Sequence, residues 1–279
     1  IKCGRGAVLP VVLTNRYNMM CNPCFMDANQ VGYVHELTWE DIKEILDNAI
    51  SIKPRRQLSV QFSGGEPTIS PYFLDAVAYC KKLGYQSTQA ASNGIRFADR
   101  DFTLAAAAAG LHTVYLQFDG VRDEIHERTR GRPLLEVKRR ALENIHAAGM
   151  KVCLVPTVVN GVSSDQVGAI LQFAIDHIHV VSAIAYQPVS FTGRIDTARR
   201  EAERYTLGDL ADGRDHGRAL RMSGSGCDHG DDRGEQATEG EARHQPAEPV
   251  GVSVVATARD VRQEAVGGRI GSEVHQERP

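Results

Sequence analysis

The sequence predicts an α/β fold, either a partial (βα)6 TIM-like barrel or an open wound sheet, and three observations carry that expectation. Between residues 7 and 190, short β-branched apolar runs alternate with longer segments whose apolar residues recur at helical spacing. The apolar runs are hydrophobic on both faces, as strands of a covered parallel sheet are. Gly84, Gly110 and Gly149 each follow a helical segment and precede a strand, where a left-handed residue closes a helix.

In chain order, the expected strands are Val8–Leu13, Leu58–Phe62, Gln86–Ala91, Thr113–Phe118, Val152–Thr157 and Ala183–Gln187. Between them the expected helices are Trp39–Ile52, Pro71–Leu83, Arg100–Ala109, Leu134–Ala148 and Ser164–Ile175. Thr38 followed by Asp41 is a capping-box start, and Ser70-Pro71 offers an N-cap with proline at the first helical position. In the last helix Val167, Ile170, Leu171, Ala174 and Ile175 form a core stripe. Such a unit places its functional loops at the carboxyl ends of the strands.

With 279 residues, 42% of them hydrophobic, the chain can bury a sizeable core. A net charge of −3 without a basic run argues against nucleic acid and anionic membrane surfaces as partners. No apolar run approaches the roughly 20 residues of a membrane span, and the expectation is a cytoplasmic protein. Six scattered cysteines do not make a disulfide framework, so reduced thiols or a metal site are expected. The chain opens on Ile1 close to a strand, which reads as a fragment lacking residues upstream.

After residue 200 the composition changes. From Glu201 to Pro279 there is no Lys, Asn, Phe or Trp, Tyr205 is the sole aromatic residue, and 12 of the 26 glycines occur here. The segment reads either as a disordered acidic tail or as a GC-rich gene translated out of frame from near Asp212–Gly217. The expected division is therefore a core domain over 1–200 and a low-complexity tail over 201–279.

Three loops carry the chemistry. Cys21-Asn-Pro-Cys24 follows the first strand, and alone it suits a shared metal, a redox disulfide or a chance occurrence. Ser63-Gly64-Gly65-Glu66-Pro67 follows the second, with two glycines that permit close backbone approach, free amides at a sheet edge and a carboxylate for an ammonium-bearing ligand. Asp119-Gly120 follows the fourth, with His126, Arg128, Arg130 and Arg132 beyond it. There an Asp can bind ribose hydroxyls and an Arg can grip a carboxylate, although most of Arg122–Arg132 reads as solvated loop charge. Asn93-Gly94, after the third strand, is by itself a turn.

Together these loops resemble the radical S-adenosylmethionine (SAM) superfamily, from about Val8 to Ser190. The resemblance implies a [4Fe–4S] cluster with Cys21 and Cys24 as its second and third ligands, and SAM held by Gly64, Gly65, Glu66 and Pro67. Asn93, Asp119 and Arg130 would be further SAM contacts. It also implies an electron donor of flavodoxin or ferredoxin type, and the family's chemistry, in which reductive cleavage of SAM gives a 5′-deoxyadenosyl radical that abstracts hydrogen from a substrate. "CNPCFMDANQVGYVHELTWEDI" and "YLQFDGV" are similar to a branch with pterin methyltransferase-like and tetraether lipid synthase-like proteins, which leaves a small-molecule or a lipid substrate open.

The family's first cluster ligand falls four residues before Cys21, and Tyr17 stands there. A phenol oxygen is a hard donor on a longer side chain, a poor match for an iron–sulfur cluster, and two thiolates cannot hold three irons. Four readings follow: a substitution or sequence error, a non-catalytic barrel that binds SAM or a partner, recruitment of Cys3, or other C-x-x-C chemistry such as dithiol exchange. Tyr17 therefore puts the activity of this chain in question. Cys80 and Cys153 read as buried small hydrophobes, and His112, His146, His177 and His179 as helix-end or surface residues.

Overall fold

The computed structural model describes residues 8–19, 21, 33–52, 59–189, 197–211 and 254–257. β1 (Leu9–Thr14), β2 (Ser59–Gly64), β3 (Ser87–Ser92), β4 (Thr113–Gln117) and β5 (Lys151–Val155) pair in parallel in chain order. β6 (Thr157–Val158) and β7 (Val181–Pro188) complete the parallel sheet in the order β1-β2-β3-β4-β5-β7-β6. Between the strands run α1 (Trp39–Ser51), α2 (Phe73–Leu83), α3 (Arg100–Ala109), α4 (Asp123–Arg130), α5 (Leu135–Ala147) and α6 (Val167–Asp176). This is the expected α/β architecture of a partial TIM-like barrel.

One expectation needs correction: the strands are not apolar on both faces. Val60, Phe62, Ala90, Val114, Leu116, Val152 and Leu154 are buried in the helix-covered core. The alternate positions Gln61, Ser63, Gln89, Tyr115 and Gln117 are half-buried on the opposite face. The inner face of the partial barrel is thus largely polar, and only its outer face carries the apolar core.

The helix ends follow local chemistry. At α1 the Asp41 amide donates to Thr38 Oγ1 (3.2 Å) while Thr38 N–H donates to Asp41 Oδ2 (2.9 Å). Gly84 and Gly110, at φ 85° and 111°, terminate α2 and α3. α2 begins at Phe73 rather than at Pro71, because Ser70 accepts from the Tyr72 amide (3.4 Å) in a preceding turn. The expected strand Val152–Thr157 is split at Pro156 into β5 and β6.

The packed unit also runs past residue 200. α7 (Thr197–Glu203) and α8 (Leu207–Ala211) follow β7, and Tyr205 and Leu210 are buried in the core. β8 (Val254–Thr257) pairs antiparallel with β7. Among the described residues past 200, the regular elements are thus the end of α7, α8 and β8. The junction at Asp212–Gly217 lies outside the described residues. No helix among the described residues is long and apolar enough to cross a membrane.

Candidate functional site

The parallel sheet brings the ends of β1 to β4 to one edge, and the first contact there is backbone against backbone. Gly65 N–H donates to Thr14 O (2.8 Å) and Glu66 N–H to Arg16 O (2.9 Å). A Cβ on Gly64, whose φ is 137°, would lie 2.2 Å from Thr14 O, and one on Gly65 would lie 2.1 Å from Arg16 O. The glycines thus let the exit of β1 lie directly on the exit of β2. The amides of Gly65 and Glu66, expected to be free, hold the start of the cysteine loop.

Glu66 is fully buried and braces the next loop. Its Oε1 accepts from Thr68 N (3.2 Å), Thr68 Oγ1 (2.6 Å) and Ser92 Oγ (2.9 Å), and its Oε2 from Asn93 N (2.8 Å). Burial pushes the carboxyl above its ordinary range, against the pull of these donors. Pro67, also buried, opens the short turn that carries Thr68. Asn93 is a junction. Besides its amide bond to Glu66, its side chain donates to Asn18 Oδ1 (2.7 Å) and accepts from Ile95 N (3.0 Å), and its carbonyl accepts from Lys138 Nζ.

Asp119 and Arg130 are engaged with each other. Arg130 Nε donates to Asp119 Oδ2 (2.6 Å) and Nη2 to Asp119 Oδ1 (2.9 Å), with the side chains 6% and 0% exposed. Thr129 Oγ1 and the Thr157 amide complete the carboxylate shell at 3.1 and 3.0 Å. Burial works against the Asp119 charge, but the Arg130 guanidinium outweighs it and holds the carboxyl below its ordinary value. His126 is fully buried and donates from Nε2 to Gly120 O (3.0 Å). The arginine run is a helix rather than a solvated loop. Arg122 pairs with exposed Asp165 (2.6 Å) and Arg128 donates to Gly161 O (3.3 Å), while Arg130 alone of the three turns inward.

In the cysteine loop, Tyr17 is partly buried, with its hydroxyl 3.5 Å from Cys21 Sγ. Burial, then the neighbouring Cys21, raises the phenol above its ordinary range and keeps it neutral. Cys24, Cys3 and Cys227 lie outside the described residues. Cys80 and Cys153 are buried, as expected. The donor set decides the fit of a cluster. Among the described residues, a phenol rather than a thiolate stands against Cys21 at the family's first ligand position, a donor that does not match the three thiolates a site-differentiated [4Fe–4S] cluster takes. The residues expected to hold SAM lie together at this edge: Gly64 and Gly65 clasp the exit of β1, Glu66 joins Asn93, and Arg130 holds Asp119.

Two residues of this edge escape the sequence reading. Lys138 is 0% exposed on the apolar stripe of α5, beside Leu134, Ala141, Leu142 and Ile145. A lysine at a core position of an otherwise clean stripe is the signal that marks it. Asn18, between Tyr17 and Cys21, carries no signal of its own.

Comparison with known proteins places this geometry. The chain matches the radical SAM superfamily over residues 11–174 and belongs to it. It is 38% identical over 199 residues to the 7,8-dihydro-6-hydroxymethylpterin dimethyltransferase of Methanocaldococcus jannaschii, covering 71% of this chain and 39% of that protein. It is 30% identical over 149 residues to the Fe-coproporphyrin III synthase of Methanosarcina barkeri, covering 52% and 36%. The chain thus spans less than half the length of these relatives. Streptococcus suis SuiB bound to S-adenosylmethionine shares the fold with a TM-score of 0.58 at 17% identity, over 78% of this chain and 47% of that one. Members of the superfamily bind a [4Fe–4S] cluster and SAM, and use them for radical chemistry.

Proposed function

We propose that this chain is a radical SAM core that binds SAM at the carboxyl edge of β1–β4, and that Tyr17 prevents it from assembling the cluster needed for reductive cleavage. The observation that carries the reading is the phenol standing against Cys21 at the first ligand position. The cysteine pair then supplies at most two thiolates to a site that needs three. The clasp of Gly64 and Gly65 on Thr14 and Arg16 is intact, so the SAM edge survives the loss of the cluster. Gly64, Gly65 and Pro67 shape the cradle, Glu66 and Asn93 set its loops, and the Asp119–Arg130 pair fixes its far wall.

The pterin-methylating relative, with the similar sequence texture around Cys21 and Asp119, supports a pterin-like or other small-molecule substrate for the intact protein. The family's chemistry requires a low-potential electron donor of flavodoxin or ferredoxin type. Anaerobic reconstitution with iron and sulfide tests the reading. Tyr17→Cys should gain about four irons per chain and the visible charge-transfer absorption, and the native chain should gain neither. A cluster on the native chain would overturn the role given to Tyr17.

A further inference from the structure

Lys138 is fully buried and, among the described residues, has no carboxylate in hydrogen-bonding contact. Its Nζ donates to the carbonyl of Asn93. Asn93 donates in turn from Nδ2 to Asn18 Oδ1 (2.7 Å) and from its amide to Glu66 Oε2 (2.8 Å). Four elements distant in sequence meet there: α5, the loop after β2, the loop after β3 and the start of the cysteine loop. The aliphatic stem of Lys138 passes Gly94, where a Cβ would meet Leu116 Cδ1 at 2.5 Å and Lys138 Cδ at 3.8 Å. Gly94 lies at φ 80°, so the turn that presents the Asn93 carbonyl is fixed from beneath.

A lysine at a core position carries a desolvation cost, and Met would fill the same stripe without it. The geometry therefore points to a positioning role: we propose that Lys138, through Asn93 and Asn18, latches the cysteine loop onto the loops after β2 and β3. The latch rests on the identification of that edge as the functional site, but it acts on the loop whether or not SAM or a cluster binds. Asn18 is exposed while its partner Asn93 is buried, so the Asn18–Asn93 bond is the outer end of the latch and Lys138 the inner end.

Cys21 reports on the latch directly. It is partly exposed, while Cys80 and Cys153 are buried and report global unfolding. The test is the alkylation rate of each cysteine in the full chain under native conditions, resolved by peptide mass spectrometry, for the native chain, Lys138→Met, Asn18→Ala and the double variant. Each single variant should speed alkylation of Cys21 about fivefold, the loss of one net hydrogen bond, with Cys80 and Cys153 unchanged. The double variant should be no faster than the faster single one, because both cut the same latch. Unchanged Cys21 rates, or multiplicative effects in the double variant, would overturn the proposal. Acceleration of Cys80 and Cys153 alongside Cys21 in Lys138→Met would assign that residue a global structural role and overturn the latch as well. SAM titration of the same variants keeps the two ideas apart, since absence of SAM binding to the native chain contradicts the functional reading and leaves the latch standing.

Discussion

Arg130→Met separates a buried structural pair from a ligand contact. The two short, parallel bonds to Asp119, at 2.6 and 2.9 Å, give a direct attraction of about 6 kcal/mol at an effective dielectric of 20. Desolvation of two ions offsets most of that, so the pair as a whole is close to neutral for stability. Removing one partner is different, because Asp119 would stay buried with only Thr129 and the Thr157 amide as donors. The expected loss is about 3–5 kcal/mol, nearer the lower end because those two donors remain. For a unit of this size it lowers Tm by roughly 6–15 °C. Urea unfolding at neutral pH, followed by the fluorescence of the single tryptophan Trp39, measures it. Asp119→Leu/Arg130→Met should recover most of the loss. A loss below about 1 kcal/mol in Arg130→Met, or a double variant as unstable as the two singles summed, would refute the buried-pair account.

Three further perturbations test the edge. Gly65→Ala puts a methyl 2.1 Å from Arg16 O, and backbone cannot step aside as a side chain can, so it should cost about 2–3 kcal/mol in urea unfolding and weaken SAM binding in a calorimetric titration. Glu66→Gln cannot accept at both ends of its amide from Asn93 N and Thr68 N, and should lose about 1–3 kcal/mol by the same unfolding measurement. Lys138 predicts a pH dependence. Burial, stronger than the attraction of Asp119 and Glu66, pushes its ammonium down to about 8, so between that pH and the ordinary 10.5 the unfolded chain binds a proton that the folded chain does not. Stability from this group therefore rises with pH through that window, by about 3 kcal/mol, and is lost as pH falls back through 8. The difference in unfolding free energy between the native chain and Lys138→Met, measured from pH 7 to 10.5, should show that rise.

Elements with apolar periodicity were legible in the sequence. The six expected strands and five expected helices are present within a few residues of their expected limits, because most of their buried faces are written in Val, Ile, Leu, Phe and Ala. α4 was hidden because its inward face is Ile125, His126, Thr129 and Arg130, which no hydrophobic period describes. The same reason hid the roles within the site. Residue type and position mark Glu66, Asn93 and Asp119 just past strand ends, but only three dimensions reveal that Glu66 gives its oxygens to Thr68, Ser92 and Asn93. Lys138 is 45 residues from the carbonyl that it holds, a partnership that no local pattern encodes. Tyr205 and Leu210 pack into the core from a segment whose composition alone promised nothing.

The central claim is that the SAM edge is whole and the cluster ligand set is not. Assay of 5′-deoxyadenosine, after anaerobic reconstitution with iron and sulfide and addition of SAM and dithionite, tests it most directly when the native chain and Tyr17→Cys are run side by side. The account predicts 5′-deoxyadenosine from Tyr17→Cys and none above background from the native chain. Product from the native chain, or none from a Tyr17→Cys chain that has kept its fold, would contradict it.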